Sequence, residues 1–144
     1  MYCILDIETT GGQFNEEGIT EIAIYKFDGH EIVDQFISLV NPEIPIQPFV
    51  VKLTGINNAM LRSAPKFYEI AKRIIEITEG CVIVAHNASF DYRILSTEFR
   101  RLGYTFKKPT LCTVELAKKL IPEQPSYSLG KLVRSLGIQM QLLM

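Results

Sequence analysis

The sequence predicts an α/β domain in which a mixed β-sheet is flanked by helices. Residues 2–7 form a short apolar run typical of a buried strand. Residues 19–27 and 32–40 show two further strand patterns, and the Asp28-Gly29 dipeptide between them is typical of a hairpin turn. Residues 81–85 are apolar and rich in β-branched side chains, which favours a strand covered on both faces. The hairpin makes part of the sheet antiparallel, and the helical crossover before the fourth strand makes it a candidate for parallel pairing with the first.

The helices are predicted from apolar residues at helical spacing and from their end signals. Ser63 and Pro65 suit the cap and first turn of one helix, and Gly80 ends it. A later helix ends at Gly103 and is predicted to bury one face, made of Ile94, Leu95, Phe99 and Leu102. Prolines exclude both a helix and a central strand over residues 41–48. The predicted helical segments are residues 63–79, 90–102, 113–121 and 128–136.

Length and composition indicate one globular domain over residues 1–144. The chain has 144 residues, 47% of them hydrophobic and 22% charged, which is ordinary for a folded domain. There is no apolar run long enough for a membrane span and no pattern of a signal peptide. Three widely spaced cysteines favour buried, reduced thiols in a cytoplasmic protein.

The charge is distributed unevenly although the net charge is only −1. Residues 1–89 hold 6 basic and 12 acidic side chains, whereas residues 90–144 hold 9 basic and 4 acidic ones. Such an asymmetry fits a half that faces a polyanion, and it equally fits solvated helix faces.

Two carboxylates end the first predicted strand. Because alternate residues of a strand share a face, Asp6 and Glu8 point to the same side as Tyr2 and Ile4. The carboxyl ends of strands in open α/β sheets are where ligands usually bind. The Thr-Thr-Gly-Gly turn that follows, residues 9–12, allows a backbone to approach closely. A solvent-exposed strand end is the alternative interpretation.

A third carboxylate follows the fourth predicted strand. Asp91 falls in the first turn of the next helix, where the helix dipole alone would favour an acid. If the first and fourth strands are neighbours, Asp91 meets Asp6 and Glu8 at one edge of the sheet. Three converging carboxylates provide the hard oxygen ligands that Mg²⁺ and Mn²⁺ prefer.

These residues resemble the 3′–5′ exonucleases of the DEDD superfamily, in the branch that contains the proofreading subunit of bacterial DNA polymerase III and ribonuclease T. Residues 6–11, DIETTG, resemble the first motif of that family, and residues 86–91, HNASFD, resemble the second. Residues 18–23, 53–56 and 128–132 resemble its second strand, its substrate loop and its penultimate helix. The resemblance covers almost the whole chain in order.

The resemblance implies a ribonuclease H-like fold with a five-stranded mixed sheet and a phosphodiesterase that uses two Mg²⁺ or Mn²⁺ ions. It implies that Asp6 bridges both metals, that Glu8 holds the water-activating one, and that Asp91 supports the other. The substrate would be a single-stranded 3′ end of DNA or RNA, with weak sequence preference. The residues expected to line the site for the terminal nucleotide are Thr9, Thr10, Gly11, Leu53, Ile56, Asn87 and Phe90.

The third motif of the family, His-x-Ala-x-x-Asp on a final helix, has no counterpart in the 144 residues. We therefore expect a C-terminally incomplete domain with strongly reduced activity and a partly uncovered sheet, which favours self-association. Of the two histidines, His30 is expected in a solvated turn, and His86 is expected to support the site rather than to transfer protons. Losing a general base typically lowers a rate by about 10²–10⁴.

Two other functions stay open at this point. The chain could be a non-catalytic metal- or nucleic-acid-binding module that keeps the cleft of an exonuclease. It could also bind a nucleotide through residues 9–12, although these lack the glycine spacing and lysine of a P-loop. The sequence does not decide between DNA and RNA, nor whether a polymerase or a further nuclease domain is the partner.

Overall fold

A computed structural model of the chain describes residues 1–139, which form a five-stranded mixed sheet and six helices. The strand order across the sheet is β3-β2-β1-β4-β5. The elements, in chain order, are β1 (Tyr2–Thr9), β2 (Ile19–Phe27), β3 (Ile32–Leu39), α1 (Pro48–Thr54), α2 (Asn58–Leu61), α3 (Phe67–Thr78), β4 (Val82–Ala85), α4 (Ala88–Arg101), β5 (Thr110–Cys112), α5 (Thr113–Leu120) and α6 (Leu129–Ser135).

The strand pairing confirms the predicted mixed sheet. β1 and β2 pair antiparallel, as do β2 and β3, whereas β1 and β4 pair parallel over three residues. β5, which the sequence patterns did not reveal, is a three-residue edge strand parallel to β4. The parallel pairing brings the carboxyl ends of β1 and β4 to the same edge of the sheet, as expected.

The main core lies between one face of the sheet and the helices α3 and α4. Alternate residues of β1 point into it, namely Cys3, Leu5 and Ile7, and they meet Ile74 from α3 and Phe99 from α4. Phe99 contacts three other aromatic rings, stacking on that of Phe106. The predicted alternation along β1 is therefore correct.

Two burial predictions are wrong. Leu102 is exposed rather than packed, because it caps the C-terminus of α4 and lies beyond its last turn. Cys112 is only half-buried, because it ends the edge strand β5, while Cys3 and Cys81 are buried thiols as expected.

Several helix boundaries differ from the predicted ones. α3 begins at Phe67, and Lys66 rather than Ser63 is its N-cap, since the Glu69 carboxylate accepts a hydrogen bond from the Lys66 backbone. The predicted loop at residues 53–56 is partly helical, because Pro48 starts the short helix α1 and Gly55 ends it in the left-handed conformation, with a φ of 75°.

The opposite face of the sheet is open in the part of the chain that the structure describes. Tyr2 and Ile4 of β1 and Ile37 of β3 are exposed there. None of the described helices is both long and apolar enough to cross a membrane. The expectation that the chain stops before a last helix concerns residues 140–144, which lie outside the described residues.

Candidate metal and nucleic-acid site

Three carboxylates meet at the carboxyl ends of β1 and β4. Asp6 and Glu8 project from the open face of β1, and Asp91 projects from the first turn of α4. The turn into α4 is tight, since Asn87 has a φ of 75° and a ψ of 57°, a left-handed conformation that is uncommon for a side-chain-bearing residue. Backbone conformations of this kind are concentrated at functional sites. Here the conformation of Asn87 turns the chain so that α4 begins close to the end of β1.

The Asp6 charge raises the pKa of both Glu8 and Asp91, so the three carboxyl groups lie close together. Burial and the negative charge of Asp6, with a smaller contribution from Glu8, raise the pKa of Asp91 to about 7. Burial, followed by the charges of Asp6 and Glu21, raises the pKa of Glu8. Partial burial of the Asp6 carboxyl raises its pKa as well, although the residue as a whole is exposed. The charged forms are therefore disfavoured at this edge in the absence of a cation.

In the part of the chain that the structure describes, no positive side chain forms an ion pair with these carboxylates. Among residues 1–139, the four ion pairs do not include Asp6, Glu8 or Asp91. Within the same residues, no three acidic, histidine or cysteine side chains are arranged so that they could hold a metal ion as they stand. Binding a cation would therefore require these carboxylates to move closer together.

The donor set nevertheless fits a hard divalent cation. All three groups offer carboxylate oxygens, which Mg²⁺ and Mn²⁺ prefer, and a cation between them would offset their mutual repulsion. Asp91 has only 5% of its surface exposed, and an unpaired charge buried to this extent is costly.

The turn after β1 is held by Thr9 and Thr10. The Gly11 backbone N–H donates to the Thr9 hydroxyl at 3.2 Å. The Thr10 hydroxyl donates to the Gly11 carbonyl at 2.8 Å and accepts from the Gly18 N–H at 3.1 Å. Because Thr10 is fully buried and its hydroxyl is engaged on both sides, its side chain does not line the site as expected and instead shapes the turn.

Gly11 permits α1 to approach this turn. Its φ is 70°, and a Cβ at this position would lie 2.9 Å from a methyl group of Val50 and 3.1 Å from the ring of Phe49. The side chains of Phe49 and Leu53, one helical turn apart, are 64% and 81% exposed. Ile56, in contrast, is 5% exposed and packs with Val50 and Leu61, so the expectation that it lines the site is not met.

Phe49 is the residue of this surface that the sequence patterns missed. Two signals could have revealed it, since it follows Pro48 at the start of a helix and precedes the predicted Leu53 by four residues. On the other side of the turn, the Arg93 guanidinium lies 4.2 Å from the ring centre of Phe14 and 5.4 Å from that of Phe90. Aromatic side chains therefore lie near both chain segments that carry the carboxylates, Phe49 at the turn after β1 and Phe90 beside Asp91.

His86 is held by hydrogen bonds at both ring nitrogens. Its Nε2 lies 2.7 Å from the Tyr127 carbonyl, which can only accept, so Nε2 carries a proton. Its Nδ1 lies 2.9 Å from the Thr113 hydroxyl. This tether joins the end of β4 to the segment before α6, which agrees with the expected supporting role. His30 lies exposed beside the hairpin turn, also as expected.

Comparison with known proteins shows the family. The model of the RNase_T exonuclease family matches residues 3–141, and the chain belongs to that family. It is 37% identical over 139 residues to the PolC-type DNA polymerase III of Caldanaerobacter subterraneus subsp. tengcongensis, covering 96% of this chain and 10% of the relative. It is 35% identical to the 3′–5′ exonuclease DinG of Staphylococcus saprophyticus, covering 95% of this chain and 15% of the relative. The chain thus spans only a small part of the length of these curated relatives.

Solved structures show the same fold. Exonuclease X in complex with 5′-overhanging duplex DNA is 32% identical, with a TM-score of 0.76 over 98% of this chain and 76% of that one. The nuclease domain of 3′hExo, a DEDDh family member bound to rAMP, has a TM-score of 0.81 over 99% of this chain and 81% of that one. At 21% identity, the second comparison shows the ribonuclease H-like fold alone. Exonucleases of this family are metal-dependent, and an exonuclease I complex with single-stranded DNA has been solved in a zinc-bound form.

Proposed function

We propose that the chain acts as a metal-dependent 3′–5′ exonuclease module that hydrolyses the terminal phosphodiester of single-stranded DNA or RNA. The observation that supports this most is the meeting of Asp6, Glu8 and Asp91 at one sheet edge without a basic partner in residues 1–139. The family relationship and the 3′–5′ exonuclease activity named for its DinG relative agree with this proposal.

Each of the three carboxylates has a proposed role toward a pair of Mg²⁺ or Mn²⁺ ions. Asp6 would help to hold both ions, Glu8 would hold the one that activates the attacking water, and Asp91 would support the other. When bound, such ions lower the pKa of a water molecule and polarise the phosphate. The chain itself would orient the 3′ end, since Thr9 is half-buried at the end of β1 and Asn87 is exposed at the start of α4.

The exposed side chains of Phe49 and Leu53 and the half-buried ring of Phe90 would bind the terminal nucleotides. Phe49 and Leu53 form one wall and Phe90 contributes to the other. Aromatic rings stack on any base, typically with about 1–3 kcal/mol per base, which gives affinity without sequence preference. Neither wall contains a group that clearly distinguishes the 2′-hydroxyl, so we expect both DNA and RNA to enter.

A direct test uses 3′-labelled single-stranded DNA and RNA with the full chain. We expect slow release of the terminal nucleotide that requires Mn²⁺ or Mg²⁺ and is lost in Asp6→Asn. Asp28→Asn, at the hairpin turn, is the matched control and should retain activity. Release that persists in Asp6→Asn or in EDTA would contradict the proposal.

One observation favours a second function, that of a non-catalytic nucleic-acid-binding module. Both ring nitrogens of His86 contact protein groups, the Thr113 hydroxyl and the Tyr127 carbonyl, and His30 lies at the hairpin beyond the other end of β1. Absence of nucleotide release, together with Mn²⁺-dependent binding of a single-stranded oligonucleotide that Asp6→Asn abolishes, would establish this second function instead.

A further inference from the structure

A fourth carboxylate, that of Glu21, lies beside the three already described. In the ladder between β1 and β2, Glu21 stands directly opposite Glu8. The partner of Asp6 in the same ladder is Ala23, so Glu21 is also the diagonal neighbour of Asp6. Residues paired directly across two antiparallel strands have Cβ atoms about 4.5–5.5 Å apart on the same face. Glu21 therefore shares the open face and the carboxyl edge with Asp6 and Glu8.

This pairing is unfavourable on its own. Like charges directly opposite each other in a sheet are destabilising. Glu21 has no basic partner in any of the ion pairs formed by residues 1–139. It is also only half exposed, and Leu39, its partner on β3, packs against the cluster of Val50, Ile56 and Leu61. A solvated strand end would not explain an acid that is partly enclosed and faces another acid.

The neighbouring groups indicate that a cation resolves the repulsion. Asp91 is almost completely buried, with no positive side chain paired to it in the described part of the chain. Four acids that share one edge and repel one another make an environment in which each added negative charge increases the attraction for a divalent cation.

We propose that Glu21 is a positioning residue of the metal site and acts through Glu8. Its charge keeps the Glu8 carboxylate directed away from β2 and toward Asp6, and it strengthens the attraction for a cation held between those two groups. This role rests on the proposed metal site, but it concerns a residue that is outside the exonuclease motifs. Glu21 would lie behind Glu8 and would not contact the substrate.

The test compares Glu21→Gln, which keeps the shape of the side chain and removes its charge, with wild type, Glu21→Asp and Glu31→Gln. Glu31 is exposed at the other end of the sheet, beside the hairpin turn, and provides a matched control. Mn²⁺ alone is titrated into the full chain by calorimetry, and urea unfolding in EDTA is followed by circular dichroism. Neither measurement depends on catalytic activity.

We expect Glu21→Gln to weaken Mn²⁺ binding about tenfold. The same substitution should shift the unfolding midpoint in EDTA to higher urea, because it removes the repulsion. Glu21→Asp should retain most of the Mn²⁺ affinity, and Glu31→Gln should match wild type in both measurements. A merely structural role of Glu21 predicts the opposite shift, toward lower urea.

The outcomes separate this inference from the proposed function. Unchanged Mn²⁺ affinity in Glu21→Gln, with binding lost in Asp6→Asn, would overturn the role of Glu21 alone. A wild-type chain that binds no Mn²⁺ would overturn both proposals. A lower unfolding midpoint of Glu21→Gln in EDTA would also refute the role of Glu21, whatever the affinity.

Discussion

Asp91 shows at the scale of a single residue how the site is prepared for a cation. It is buried in the first turn of α4, where the helix dipole favours its charge, and hydrogen bonds from the backbone also lower its pKa. Burial and the charges of Asp6 and Glu8 outweigh these effects and raise its pKa to about 7. The charged carboxylate is therefore less stable in the folded, cation-free protein than in the unfolded chain.

This shift predicts how the stability of the cation-free protein depends on pH. Because the folded pKa of Asp91 lies above the usual value of 3.8, the folded state binds more protons between that value and about 7. Stability in EDTA should consequently rise as the pH falls from above 7 toward 4, by up to a few kcal/mol. Asp91→Asn should flatten this rise and stabilise the protein at pH 8, as measured by urea unfolding at several pH values. Glu123→Gln, an exposed acid near α6, should leave the slope unchanged, whereas an unchanged slope in Asp91→Asn would contradict the assignment.

At the scale of elements, α4 holds the loop that follows the first carboxylates. The Arg93 guanidinium donates to both carboxylate oxygens of Glu17, at 3.3 Å and 2.9 Å, and to Asn15. The guanidinium of Arg101, two turns further along the helix, donates to the Asn15 carbonyl at 2.7 Å. The same helix therefore positions Asp91 and fixes the loop that leads from the Thr-Thr-Gly turn to β2.

We expect Arg93→Met to release this loop and to destabilise the protein by about 3 kcal/mol, because it leaves the buried Glu17 charge without a partner. The double variant Arg93→Met, Glu17→Gln should recover part of this loss. Hydrogen exchange of residues 12–18, with urea unfolding, measures both effects. Arg93 holds the pKa of Glu17 below its usual range, so this stabilisation should be present at neutral pH and disappear as the solution becomes strongly acidic. Unchanged exchange in Arg93→Met would show that the loop does not depend on the ion pair.

The long periodic elements could be predicted from the sequence, and the short ones could not. β2 has the bounds that were predicted, and the parallel pairing of β1 and β4 followed from the helical crossover between them. The three residues of β5 are too few to show an alternation. The seven-residue helix α1 was not predicted because it begins at Pro48, the last proline of a segment in which prolines argue against a helix. At the site, the motifs located Asp6, Glu8 and Asp91, whereas Glu21 depends on a strand register that local patterns do not specify.

At the scale of the whole molecule, the two faces of the sheet differ in how they are covered. α3 and α4 cover one face, and residues 1–139 leave an apolar area on the other. Ile4 lies between Tyr25 of β2 and Val84 of β4. Ile37 of β3 lies beside Ala23 of β2. The carboxylate edge borders this area, so a molecule that covers the area would also lie next to the proposed metal site.

An exposed apolar area on a sheet face favours association, which is also what the sequence led us to expect. We therefore predict that the 144-residue chain self-associates reversibly and that Ile4→Lys weakens this association by at least about tenfold, because a lysine charge would have to be desolvated in the interface. Sedimentation velocity over a wide range of protein concentration measures it. Leu120→Lys, at a more exposed apolar residue of α5, is the control and should associate as wild type does. Since Ile4 is already partly exposed, its substitution should change unfolding by less than about 1 kcal/mol, which keeps folding and association separable. If Ile4→Lys associates as strongly as wild type while Leu120→Lys does not, the contact lies on α5 and the open sheet face is not the interface.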